Sequence, residues 1–493
     1  MIEGYVPKKD RKKILFMCDD IRMTSGISTM AREIVVNTAH VFNWVNVGGA
    51  INHPDQGKRL DICDNTNELI GIPDSSVYIY PISGYGTQEL VRQLIDIEKP
   101  DAIMIFTDPR YWTWLFQMEN EIRKTLPIIY LNIWDDLPAP LYNKPYYESC
   151  DTLFSISKQT KIINEMVLGE SIKEKILKYV PHGINEKHFY PINEFMPEEY
   201  ANVQNLKKRL FGDKEYDFVL FYNARNIRRK CVSDLIAAWS YFCDSISKED
   251  AAKCALLLHT QAVDENGTDL PAVIDLLCSD DHKNVFINEE KLATSDLNLL
   301  YNCVDSVALI SSNEGWGLSL TEAMMCGKPI IATVTGGMQD QMRFEDEEGN
   351  WFTPTKEVPS NHFGTYEKHG KWAFPVFPSN MSLVGSVQTP YIWDDRADFR
   401  DIADQIQEVY ALKTNQVEEY GSHWRGIETY EEVCKAARDW VTSDESMMSA
   451  RWMAKNIIDG INETFDTFKP RPSFEFIKIK PLEPKTIPHP LTY

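Results

Sequence analysis

At 493 residues the chain is too long for one hydrophobic core, so two or three domains are expected. Hydrophobic residues make up 43% and aromatics 11%, which excludes a disordered chain. The net charge of −22 excludes general attraction to nucleic acid or an anionic membrane, leaving only local basic patches for such contacts. The ten cysteines are scattered with no C-x-x-C pair, which fits buried thiols in a reducing compartment. No run reaches transmembrane length, so a cytoplasmic protein without a membrane span is expected.

The first elements read as a Rossmann-like opening: an apolar strand at 13–18 (KILFMC), a loop at 19–28 and a helix at 29–39. The single Ser25-Gly26 falls short of a G-x-G-x-x-G fingerprint, which argues against a dinucleotide oxidoreductase. Gly26 reads equally as a turn glycine or as a point of close ligand approach. Strands at 42–47, 76–80, 102–106 and 128–133 follow, with helices at 87–97 and 114–125 between some of them. This alternation predicts a doubly wound α/β domain with ligands at the strand C-terminal ends. Two polar clusters fall there, Thr107-Asp108-Pro109-Arg110 and Trp134-Asp135-Asp136-Leu137-Pro138. Each is either ligand-binding or a capped helix start with Asp at the cap and Pro in the first turn. The first domain is placed at 1–190, with His182 in its closing turn given a structural role, and a polar, proline-punctuated linker at 191–217.

A second α/β alternation starts with FVLFY at 218–222 and runs to about 445. The loop after that strand, NARNIRRK, holds Arg225, Arg228, Arg229 and Lys230, a cationic cluster suited to a diphosphate leaving group. A solvated basic surface accounts adequately for Arg228 and Arg229. The strand at 305–310 ends in Asn313-Glu314-Gly315-Trp316-Gly317 and is followed by a helix at 318–326, a capping Gly327 and a strand at 329–334. The helix N-terminus points its unpaired amides back at Glu314–Gly317, an anion site with Glu314 and Glu322 beside it. Carboxylates next to an anion site suit a sugar nucleotide, which offers hydroxyls, a diphosphate and an oxocarbenium-like transition state.

EGWGLSLTEAMMCGKPIIATVTGG, residues 314–337, resembles the E-x7-E signature of retaining glycosyltransferases of GT-B architecture, the glycogen synthase-like "group 1" type. The resemblance implies two Rossmann-like domains facing across a cleft. It implies that Glu314 contacts the donor sugar, Gly315, Trp316, Gly317 and Leu318 bring backbone amides to sugar or phosphate, and Glu322 holds the ribose. Arg225 and Lys230 match the family's Arg and Lys at a spacing of five, and the resemblance makes them, with Glu314, the catalytic set. The glycine that follows that lysine in the family is replaced by Cys231. Gly26 is implied at the donor phosphates or the acceptor, and Asp108, Trp134, Asp135 and Asp136 on the acceptor side. Trp134-Asp135 stands where family members carry His-Asp.

After Gly337 the chain inserts about fifty residues, 344–395, rich in aromatics, Gly and Pro, read as an acceptor-side or dimer-forming element. Helices at 398–412 and 447–468 follow. The segment 446–493 is read as a helix returning to the first domain plus an extended tail. The GT-B architecture implies no metal and no cofactor, with a nucleotide-diphosphate sugar, UDP-sugar favoured, as co-substrate. The pairs Asp19-Asp20, Asp135-Asp136 and Asp394-Asp395, which could suggest Mg²⁺ ligands, are therefore not assigned to a metal. The layout is similar to tailed-bacteriophage glycosyltransferases, which puts a hydroxymethylated pyrimidine of phage DNA forward as acceptor, in the host cytoplasm. A glycan, lipid or small molecule is the alternative acceptor, and a nonenzymatic sugar-nucleotide-binding protein the rival from another class. The oligomeric state is left open.

Overall fold

Alternating apolar strands and amphipathic helices build two parallel sheets in the computed structural model, which describes residues 4–420 and 429–472. The first sheet contains β1 (Lys12–Asp19), β2 (Phe42–Gly49), β3 (Leu60–Asp61), β4 (Val77–Pro81), β5 (Ala102–Phe106), β6 (Ile128–Asn132), β7 (Thr152–Ser155) and β8 (Ile176–Tyr179). Its order is β3-β4-β2-β1-β5-β6-β7-β8, and only the short β3 runs antiparallel. Helices cover both faces, so β1, β5 and β6 are buried almost throughout, which explains their unbroken apolar runs.

The second sheet contains β9 (Phe218–Asn223), β10 (Cys254–His259), β11 (Asn284–Asn288), β12 (Ser306–Leu309), β13 (Ile330–Thr333) and β14 (Ala373–Val376). Its order is β11-β10-β9-β12-β13-β14, parallel throughout. The chain reverses direction of winding between β9 and β12, and crevices for ligands form outside the strand C-termini at such a point. The loops leaving β9 and β12 are those carrying Arg225–Lys230 and Glu314–Gly317. Topology therefore brings together two segments that lie some ninety residues apart in sequence.

Two expectations need correction. The helix at 114–125 is broken into a 3-10 turn, Pro109–Trp112, and short helices Thr113–Phe116 and Glu119–Ile122. Trp112, Leu115, Phe116, Met118 and Ile122 are all buried there, so the broken segment still packs its apolar residues into the core. The stretch 344–395 is not one insertion beside the sheet, because residues 373–376 form β14, the edge strand of that sheet. Pro375 within it made the strand hard to recognise, yet an edge position tolerates the missing donor. The remainder includes an antiparallel hairpin, β15 (Asn380–Val384) and β16 (Ile392–Arg396).

The helix Ala450–Thr467 crosses back to the first sheet. Thr464 and Thr152 hydroxyls lie 2.7 Å apart, Lys178 pairs with Glu463 at 2.6 Å, and Gly460 fits against the Phe154 ring. The linker helix Pro197–Phe211 packs on the second domain through Val203, Leu206 and Phe211. No helix among the described residues is long and apolar enough to cross a membrane. Residues 473–493, which include Lys478, Lys480 and Lys485 of the tail, lie outside the described residues.

Candidate active site

The helix Leu318–Met325 is short, fully buried apart from its first residue, and begins at Gly317, whose φ of +87° is open to glycine and strained for other residues. That turn points the helix N-terminus at the first domain. A Cβ on Gly26 would lie 3.4 Å from the Leu318 side chain, and one on Gly315 would lie 3.0 Å from the Ile133 carbonyl oxygen. Gly26, which caps no strand but opens the helix Gly26–Thr38 behind the Ser25 cap, therefore faces the signature helix across the cleft. Behind the loop, Gly337 N–H donates to the Glu314 carbonyl at 3.0 Å, and a Cβ at Gly337 would come within 2.2 Å of the Gly315 oxygen.

Glu314 is buried and gathers three donors on Oε2: the Lys230 ammonium, Arg229 Nη1 at 3.2 Å and the Ser311 hydroxyl at 3.2 Å. Burial alone would raise its carboxyl, but Lys230 and Arg229 override that and hold it at about 2. Burial lowers the Lys230 ammonium, with Glu314 opposing the shift. Arg229 also donates to the Asn313 carbonyl at 2.6 Å. Burial opposes its charge, yet Glu314, Asp135 and Asp136 together keep it firmly protonated. Arg229 and Lys230 thus supply paired cations at the mouth of the signature loop.

Arg225 is not among them. Its side chain is 60% exposed and donates Nε to Asp264 at 2.8 Å, on the far side of the loop. Arg229, read from sequence as solvated, takes the place beside Glu314. The 3-10 turn Arg228–Lys230 aims successive side chains differently, and Cys231 after it holds φ +52°, the left-handed region that glycine prefers.

Glu322 is 8% exposed, and its Oε2 accepts from the Tyr301 hydroxyl at 2.6 Å. Burial pushes its carboxyl up to about 7, only partly countered by Tyr301. Trp316 sends its indole inward to Thr321 Oγ1 at 2.9 Å and contributes only backbone to the loop. Its ring meets His182 edge-on, and burial lowers that imidazole to about 3, so His182 is a neutral packing group.

On the facing domain Asp135 lies half-buried with its Cβ 3.4 Å from the Cβ position of Gly336. Burial raises its carboxyl to about 6, with Arg229 pulling down and Glu314 pushing up. Asp136 is pushed well up by burial and then by Asp135, with Asp395 a further contributor. Trp134 and Asp108 do not present free groups to the cleft. The Trp134 indole is buried and donates to the Asp136 carbonyl at 3.0 Å, and Asp108 caps the turn Pro109–Trp112 while pairing with Arg110. The capped-turn reading of the first cluster is what the backbone adopts.

The β15–β16 hairpin lies across this side of the cleft. Trp393 N–H donates to the Leu137 carbonyl at 2.6 Å, Asn313 Nδ2 to the Trp393 carbonyl at 2.5 Å, and Asp395 N–H to Ser312 at 3.1 Å. Arg110 Nη1 reaches Thr389 near the hairpin tip at 2.6 Å. Sequence reasoning named no residue of this hairpin as a site residue.

Among the described residues, the one trio of side chains with metal-ligand proximity is Asp244, Asp280 and His282. It sits before β10 and β11, at the edge of the sheet opposite the cleft, and the Lys283 ammonium bonds Asp244 at 2.8 Å.

A family model described as "Glycosyl transferases group 1" matches residues 282–359, which include Glu314 and Glu322. The chain is 26% identical over 254 residues to an uncharacterized glycosyltransferase of Methanocaldococcus jannaschii, covering 51% of this chain and 58% of that protein. Less than two thirds of that relative's length is therefore matched. Sucrose-phosphate synthase from Thermosynechococcus elongatus superposes with a TM-score of 0.61 at 15% identity, covering 92% of this chain and 100% of that one. Anabaena HepE, solved in complex with UDP and glucose, superposes at 0.58 with 14% identity and the same coverage. At these identities the superpositions establish the GT-B fold alone.

Proposed function

We propose, for a GT-B chain whose residues 282–359 match the group 1 glycosyltransferases, that it transfers a sugar from UDP-sugar to an acceptor hydroxyl with retention of anomeric configuration. The observation that carries this reading is the convergence of Arg229 and Lys230 on Glu314 at the N-terminus of the helix Leu318–Met325. The two cations and the helix amides would bind the diphosphate and offset the charge that builds on it as the bond to the anomeric carbon breaks. The acceptor oxygen would bond to that carbon from the same face, its proton passing to the departing UDP phosphate. Glu314, held at about 2 under three donors, is a weak base and a poor nucleophile, and it serves as an anchor for donor-sugar hydroxyls. Glu322 would hold the ribose hydroxyls. The similarity of fold to HepE, whose structure contains UDP and glucose, supports UDP-glucose as the first donor to test.

The reaction as proposed needs no metal, since protein cations occupy the leaving-group position. Ten free thiols suit a reducing, cytoplasmic setting. For the acceptor, the net charge of −22 favours an uncharged hydroxyl compound over hydroxymethylated phage DNA, whose phosphates it would repel. The test is UDP release from UDP-glucose without acceptor, compared with GDP-, ADP- and dTDP-glucose. Slow release from the UDP donor, suppressed by Lys230→Ala, supports the reading. Failure to bind any of these nucleotides refutes it.

A further inference from the structure

Gly317 is the pliable point of the signature loop. With φ at +87° and no side chain, it leaves the peptide planes on either side of it, Trp316–Gly317 and Gly317–Leu318, little local resistance to rotation. Both planes are held by one side chain from another element. Gln341, fully buried in the short helix Met338–Met342, donates Nε2 to the Trp316 carbonyl at 2.5 Å and to the Gly317 carbonyl at 3.3 Å. Its Oε1 accepts from the Thr321 hydroxyl at 2.8 Å, and Thr321 Oγ1 accepts from the Trp316 indole at 2.9 Å. The two carbonyls can only accept, so the amide nitrogen must face them, which leaves the amide oxygen for the Thr321 proton. Trp316, Thr321 and Gln341 therefore fix one another in a single arrangement.

A trans peptide points its carbonyl and the following N–H in opposite directions. Holding the Trp316 and Gly317 carbonyls against Gln341 turns the Gly317 and Leu318 amides away from it. The bond from Gly337 N–H to the Glu314 carbonyl at 3.0 Å does the same for the Gly315 amide. Among the described residues none of these three amides has an acceptor. The helix that carries Gln341 is itself anchored to both domains. The Trp372 indole donates to the Gln341 carbonyl at 3.0 Å. From the first domain, Lys158 N–H and the Tyr179 hydroxyl donate to Asp340 Oδ2 at 2.8 and 3.0 Å, and Gln339 Nε2 donates to Gln159 Oε1 at 2.8 Å.

We propose that Gln341 is a positioning residue for the donor: it locks the two peptides around Gly317 so that the Gly317 and Leu318 amides are presented together to the diphosphate. Thr321 and the Trp316 indole keep Gln341 in the one orientation that does this. The proposal rests on the glycosyltransferase reading and adds the residue that orients its anion site. Donors fixed in advance cost no reorganisation when charge builds on the leaving group, whereas a peptide free to rotate about Gly317 would have to be ordered at each binding event. Only the diphosphate part of the donor depends on these amides. The ribose and base do not.

The experiment is calorimetry on the full chain with UDP and with uridine, which shares the base and ribose and lacks the diphosphate. Gln341→Met keeps the side-chain length and removes the amide. It is expected to weaken UDP binding about tenfold while uridine affinity stays within about twofold of the unmodified protein. A triple variant, Trp316→Phe with Thr321→Val and Gln341→Met, removes every side-chain partner in the network at once and leaves none of them buried and unpaired. Its UDP affinity is expected to stay about tenfold low with uridine again unaffected, which a merely structural role for the network would not give. Should Gln341→Met fail to fold, the triple variant decides alone. Unchanged UDP affinity in Gln341→Met, equal losses for UDP and uridine, or UDP affinity restored in the triple variant each overturns the inference and leaves the glycosyltransferase reading standing. No UDP binding by the unmodified protein overturns both.

Discussion

Glu322→Gln tests whether a buried carboxylate is kept in the site at the expense of stability. Burial moves this carboxyl from 4.5 to about 7. A shift of that size corresponds to roughly 3 kcal/mol of free energy, at about 1.4 kcal/mol per unit. The sign follows from which state releases the proton first. Below the unfolded pKa both states are protonated and the contribution to stability is full. Between 4.5 and 7 the unfolded chain ionises while the folded one resists, so stability is lost as pH rises and the loss levels off above 7. Gln at this position cannot ionise and should be spared the loss. Its amide leaves a buried N–H group without a partner, a cost of about 1–3 kcal/mol that does not depend on pH. The quantity to measure is therefore the difference in urea unfolding free energy, variant minus wild type, at pH 5 and pH 8. It should rise by about 2–3 kcal/mol across that interval, whatever its value at pH 5. Parallel pH profiles would refute the reasoning, because Glu322 would then be ionised in the folded protein at ordinary cost.

Uridine, which has no phosphate of its own to titrate, should bind more weakly as pH falls below 7, because the ionised carboxylate accepts more strongly from the ribose hydroxyls than the protonated carboxyl does. The dependence should vanish in Glu322→Gln, and calorimetry at pH 5.5, 6.5 and 7.5 reads both effects. Arg229→Ala and Lys230→Ala should each lower turnover with UDP-glucose by roughly 100-fold or more, whereas Arg225→Ala, whose side chain is committed to Asp264, should cost less than about tenfold. The reverse ranking in initial-rate measurements would return the leaving-group role to Arg225. Incubation with EDTA should leave the rate unchanged, and a loss restored by Mg²⁺ would show that a cation shares the leaving-group charge.

The signature could be read because its parts are local. A strand end, a glycine-broken turn and a capped helix set Glu314 and Glu322 eight positions apart. The alternation of strands and helices showed both sheets for the same reason. The choice among the four cations at 225–230 was not legible. It depends on the 3-10 turn Arg228–Lys230 and on a left-handed residue at Cys231, where the expected glycine is missing, and on Asp264, thirty-nine residues away, which draws Arg225 off. The hairpin was beyond reach for a related reason. Its contacts pair Trp393 with Leu137 and Asp395 with Ser312, separations over which no periodicity survives. The two loops at 107–110 and 134–138, each open in the sequence to a ligand-binding or a capped-helix reading, share one helix-start pattern. Asp108 spends its oxygens on Arg110 and the cap, while Asp136 keeps one without a donor.

The measurement that bears most directly on the central claim is proton NMR of the sugar product formed from UDP-glucose labelled at the anomeric carbon, followed from the first turnovers with an acceptor that stimulates UDP release. The retaining transfer proposed for this site predicts one new anomeric resonance with the small coupling of an α-linked glucoside, appearing in step with UDP. A β-linked product, or UDP formed with free glucose as the sole sugar product under saturating acceptor, would contradict it.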